Sequence, residues 1–169
     1  SYSILRVYNI VYTNFFEKFL NNLNLNNKNY SEISKLFFNQ KVAYSDSFSR
    51  AMNNLNNKCE EVIYNFKFLQ NLWDPSDTKK TSLEIFFRQL EEFKPDVLFF
   101  QGAPPLSAKE LQYVRKNFQF IKKVIVHCGF QIDYNFLENI DILMLASPHL
   151  FDLYRGKIKN INLVYHYFD

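Results

Sequence analysis

A three-layer α/β fold, with a mostly parallel sheet between helices on both faces, is predicted by the way short apolar runs alternate with helical stretches. "DVLFF", "KVIVHC", "DILMLA" and "INLVYH" are each brief and almost wholly apolar, as strands buried on both faces are. The stretches between them carry apolar residues at helical spacing and open on Ser, Thr or Pro. The 169 residues, 47% of them hydrophobic and 18% aromatic, suit a single domain over 1–169 with a full core.

The elements follow in order. "ILRVYNIVY" (4–12) is the first strand. Residues 14–23 and 30–41 are helical by period, with an Asn-rich loop between them. Residues 45–57 open on a good cap and place Phe48, Ala51, Met52 and Leu55 on one face of a helix. "CEEVIYN" (59–65) mixes apolar and charged residues, as an outer strand would. The strongest helix, 81–93, begins at a Ser/Thr cap. The strand over 96–100 is entered through Lys94-Pro95 and left through Gln101-Gly102. Ser107 and Glu110 form a capping-box signature for a helix over 107–118. Strands over 123–128, 141–146 and 161–166 then alternate with helices over 134–140 and 148–156.

In an open parallel sheet the strand carboxyl ends share one edge, and ligands bind in the crevice there. Tyr8-Asn9, Gln101-Gly102, His127-Cys128-Gly129 and Ser147-Pro148-His149 would gather along it. Small residues at these ends let a ligand approach the backbone, and the helix after Ser147 offers free N–H groups. His127 has two readings: a cleft group that titrates near neutrality, or a strand-end side chain satisfying a carbonyl. Gln101 could contact a ligand or tie down the loop to Pro104-Pro105. Asp46 reads as a helix N-terminal residue that pairs with Arg50 one turn later.

Several function classes drop out. "VYNIVYTNFF" after the first strand has no glycine with which to cradle a pyrophosphate, and neither a P-loop nor a G-x-S-x-G elbow is present. A phosphorylation receiver would need clustered acids near the first strand. The net charge of +3 comes without a basic stripe, so no nucleic-acid partner is expected. His127, His149 and His166 end three different segments without metal-ligand spacing, so neither metal nor cofactor is expected. Cys59 and Cys128 lack CxxC spacing and read as free thiols of a reducing compartment. With no transmembrane segment in view, the expected location is cytoplasmic.

Four stretches, "SILRVYNIVYTNFF", "YSDSFSRAMNNL", "EEFKPDVLFFQG" and the closing "VYHYFD", together span nearly the whole chain. They resemble the N-terminal half of CgeB-like bacterial glycosyltransferases, whose GT-B architecture has two Rossmann-like domains. The most specific parts are Tyr44-Ser45-Asp46-x-Phe48-Ser49-Arg50 and His166-x-Phe168-Asp169. The resemblance implies a Rossmann-like acceptor-side domain, inactive alone, whose nucleotide-sugar donor is held by a C-terminal domain absent from this chain. The acceptor hydroxyl would belong to a glycan, a lipid-linked molecule or a protein. It makes His127 the candidate for acceptor orientation or proton transfer, and Tyr8, Asn9, Gln101, Gly102 and Ser147 candidate acceptor contacts. His166 and Asp169 would stand at the domain junction. The competing expectation is a non-catalytic regulatory or protein-interaction module with the same doubly wound topology.

Overall fold

The computed structural model describes residues 1–11, 18–19, 21, 28–40, 45–76 and 79–165. Its strands are β1 (Ser3–Tyr8), β2 (Lys58–Ile63), β3 (Val97–Gln101), β4 (Lys123–Cys128), β5 (Ile142–Leu145) and β6 (Ile161–Leu163). Its helices are α1 (Tyr30–Asn39), α2 (Ser47–Asn54), α3 (Lys67–Trp73), α4 (Ser82–Phe93), α5 (Ala108–Asn117) and α6 (Pro148–Tyr154). The strands form one six-stranded sheet of order β2-β1-β3-β4-β5-β6, parallel at every pairing. This is a three-layer, Rossmann-like α/β fold.

Alternation along the strands decides which helix covers which face. Leu5, Val7, Leu98, Phe100, Val124, Val126, Leu143 and Leu145 meet α4, α5 and α6 through Phe86, Leu90, Leu111, Val114, Leu150 and Tyr154. That layer is the main core, each fully buried Leu, Val or Phe contributing about 1.5–3 kcal/mol. On the opposite face Ile4, Cys59 and Phe99 lie under Phe48 and Met52 of α2. Further along it, Tyr8 and Ile63 pack with Ile33, Phe37 and Phe38 of α1 and Leu69 of α3.

Local chemistry fixes the helix starts. Asn29 with Glu32, Thr81 with Glu84, and Ser107 with Glu110 each form a reciprocal capping box. Helix α4 stops at Lys94, which adopts φ 47° ahead of Pro95, a residue with no N–H to continue the ladder.

The structure corrects several expectations. Strand β1 ends at Tyr8 and not at residue 12, because Asn65 takes both the N–H and the C=O of Ile10, at 2.7 and 2.9 Å, and draws the chain out of the sheet. On α2, Phe48 and Met52 pack inward, but Ala51 and Leu55 are exposed. Ser49 is buried instead, its N–H donating to the Glu61 carboxylate at 3.3 Å. The short helix expected over 134–140 is a 3₁₀ helix, Tyr134–Asn139, with Asp133 accepting from the Asn135 N–H at 2.9 Å. Helix α3 was not expected at all. The helix expected over 14–23 lies, apart from 18, 19 and 21, outside the described residues.

Candidate functional site at the carboxyl edge of the sheet

Parallel register places Tyr8, Gln101 and His127 in one row across β1, β3 and β4. From β1 the chain passes to α1 and α2 on one face; from β3 it passes to α5 on the other. Divergence of this kind opens a crevice between neighbouring strand ends. Asn9 follows β1 there, and Gly102 follows β3.

The row is tied together by polar contacts. Gln101 Nε2 lies 3.0 Å from His127 Nδ1, and Gln101 Oε1 accepts from Arg6 at 3.3 Å. His127 is buried, and its Nε2 lies 3.3 Å from the Val164 carbonyl beyond β6. The Gly102 N–H donates to the His127 carbonyl at 2.7 Å, with Gly102 at φ 98°, a conformation that favours glycine. A Cβ on Gly102 would stand 4.0 Å from the Phe130 ring, so that half-exposed ring lies over this strand end.

The candidate residues fare differently. Gln101, Gly102 and His127 come together. Gln101 does not tie the Pro104-Pro105 loop through these bonds; it bridges Arg6 and His127. Tyr8 stands in the row but is only 1% exposed, its ring edge-on to Phe38 at 6.3 Å, so it serves the core. Asn9 is half-buried beside it. Ser147 lies on the same edge past β5, half-buried, as the N-cap residue of α6, with no side-chain cap bond. His149 is exposed in the first turn of α6. His166 and Asp169, expected at a domain junction, lie outside the described residues, as does Tyr44 of the Tyr44–Arg50 motif. Asp46 makes no side-chain cap bond; it pairs with Arg50 at 3.1 Å on the surface.

Sequence reading missed the charged residues behind the row. Arg6 Nη1 pairs with Glu61 at 3.1 Å, and the Glu61 side chain is only 4% exposed. Arg6 also donates to the Ser45 carbonyl at 3.4 Å, while its guanidinium lies 5.0 Å from the Phe48 ring centre and 6.0 Å from that of Phe99. Burial raises the Glu61 carboxyl above its ordinary range, opposed by Arg6 and by hydrogen bonds from Ser49. The Ser45–Arg50 part of the motif thus packs against this ion pair. The signal was a lone base inside "ILRVY" and an acid inside "CEEVI". What joins them is the Arg6–Glu61 register, which no spacing along the chain reveals.

The rim is apolar in places: Val11, Phe130 and Tyr165 are 74%, 52% and 57% exposed. A shallow depression lined by Ser1, Tyr2, Ser3, Asn56, Asn57, Lys58 and Asp96 lies at the opposite, amino-terminal edge. Among the described residues no group of three or more His, Cys, Asp or Glu side chains stands close enough to hold a metal ion. Nor is any described helix long and apolar enough to cross a membrane. Comparison of the chain with protein-family models, with curated proteins and with solved structures returned no match.

Proposed function

We propose that this chain is the acceptor-side domain of a CgeB-like, GT-B type glycosyltransferase, binding an acceptor at the carboxyl edge of its sheet. The observation that carries the reading is the Gln101–Gly102–His127 cluster beside the crevice between β1 and β3. Polar groups there can meet sugar hydroxyls, and the half-exposed Phe130 ring offers an apolar platform for a sugar face. The resemblance of the Ser45–Arg50 run supports the same reading, since those residues hold the ion pair behind the cluster. In this reading His127 orients the acceptor, and a second domain brings the nucleotide-sugar donor.

Saturation-transfer NMR with a panel of neutral oligosaccharides and UDP-sugars tests it. Expected are weak binding of an oligosaccharide, its loss in His127→Ala with the circular dichroism spectrum retained, and no hydrolysis of any UDP-sugar by the chain alone. Tight binding of a nucleotide sugar by this chain would contradict the assignment.

A second reading, a protein-interaction module, is favoured by the half-buried Ile142 and Met144 of β5, which belong to none of the three buried clusters. Concentration-dependent self-association without sugar binding would select it.

A further inference from the structure

We propose that Arg6 and Gln101 are positioning residues that fix His127 as its neutral Nε2–H tautomer, so that the edge presents an N–H donor to a ligand oxygen. The proposal rests on the carboxyl-edge ligand site and deepens it, because it states what His127 can offer there.

A guanidinium only donates. The Gln101 atom 3.3 Å from Arg6 is therefore the amide oxygen, which leaves the amide nitrogen facing His127 at 3.0 Å. An amide nitrogen also only donates, so Nδ1 must carry its lone pair. The proton of a neutral ring then sits on Nε2, where the Val164 carbonyl accepts it at 3.3 Å. Turning the Gln101 amide over would set NH₂ against guanidinium at one end, donor facing donor.

Arg6 is itself held firmly enough to impose this direction. Glu61, Ser45 and three aromatic rings, those of Tyr8, Phe48 and Phe99, surround its guanidinium. Glu61 in turn is anchored by the Ser49 N–H. The chain of contacts runs Ser49, Glu61, Arg6, Gln101, His127, Val164, crossing from the outer strand to the far side of the sheet.

The consequence for a ligand is specific. With Nδ1 accepting from Gln101 and Nε2 protonated, His127 is set to donate and not to remove a proton. An oxygen of a sugar hydroxyl or ring would take the place of the Val164 carbonyl, which His127 holds less closely, at 3.3 Å, than it holds Gln101 at 3.0 Å.

Long-range ¹H–¹⁵N NMR of the histidine rings tests this without a ligand, so its failure is separable from failure of the binding site. His127→Gln identifies the His127 signals. At neutral pH the wild-type ring is expected to be protonated at Nε2 alone. In Gln101→Glu a carboxylate accepts from both Arg6 and the ring, so Nδ1 is expected to become protonated. In Arg6→Lys the planar fork is lost, and the Nε2–H-only pattern is expected to give way to a mixture. Should Arg6→Lys fail to fold, Gln101→Glu decides alone. A wild-type ring protonated at Nδ1, or a ring that keeps its wild-type tautomer in either folded variant, overturns the proposal.

Discussion

Cys59 and Cys128 lie on opposite faces of the sheet, and both are buried free thiols. Burial pushes the Cys59 thiol up to about 12 and that of Cys128 to about 11. Neither carries appreciable thiolate near neutrality, and neither is accessible. A thiol reagent such as DTNB should therefore leave the native chain unlabelled and titrate two thiols after denaturation; rapid native labelling would contradict the burial. Gly102 is the second residue whose geometry dictates an outcome. At φ 98° a side chain is strained whatever space surrounds it. Gly102→Ala should lower unfolding free energy by about 1–2 kcal/mol in a denaturant titration. Gln101 and His127 could be picked out in the sequence because each is a polar residue ending an apolar run. Arg6 and Glu61 could not, since a charge inside a strand looks like an edge feature until its partner across the register is known.

Helix α5 is the clearest case of an element written into its own residues: Ser107 accepts from the Glu110 N–H at 3.2 Å, and Glu110 accepts from the Ser107 N–H at 2.6 Å. Ser107→Ala should cost about 1 kcal/mol, measurable as a lower denaturation midpoint with unchanged cooperativity. Helix α3 is the opposite case. It has no side-chain cap, and its stability comes from elsewhere: Gln70, buried, donates to the Ile63 carbonyl at 2.7 Å and accepts from Gln89 of α4 at 3.0 Å. Such contacts are tertiary, which is why period and caps did not reveal the element. Asp74 closes α3, accepting from Ser76, from Lys80 at 2.8 Å and from Arg88 of α4. Hydrogen bonds from Lys80, Ser76 and Arg88 hold its carboxyl well below the usual carboxylate range. A depressed native value stabilises the fold above the unfolded-state value near 4, and the contribution fades as pH falls toward the native value. Asp74→Asn should thus cost about 2 kcal/mol at neutral pH. The gap between variant and wild type should narrow below about pH 4; a gap independent of pH would show that the charge is not what holds α3 to α4.

At the scale of the molecule, alternating apolar runs and helical stretches were enough to read a parallel three-layer fold, because strands buried on both faces leave an unmistakable composition. The strand order was not readable. It depends on which face each connection crosses, and that is set by packing such as Phe48 over Phe99, ring centres 5.1 Å apart. The order matters for function because it puts β1 beside β3, and so creates the crevice that Gln101 and Gly102 border. The shared edge could be foreseen from the sequence; the polar chain that arranges it could not. The central claim is that this edge receives the ligand. It is tested most directly by mapping backbone amide shifts of the ¹⁵N-labelled chain during titration with the oligosaccharide that gives the strongest saturation transfer. Perturbations are expected to concentrate at Asn9, Gly102, His127 and Phe130. Shifts confined to Tyr2, Asn57 and Asp96 at the opposite edge would contradict it.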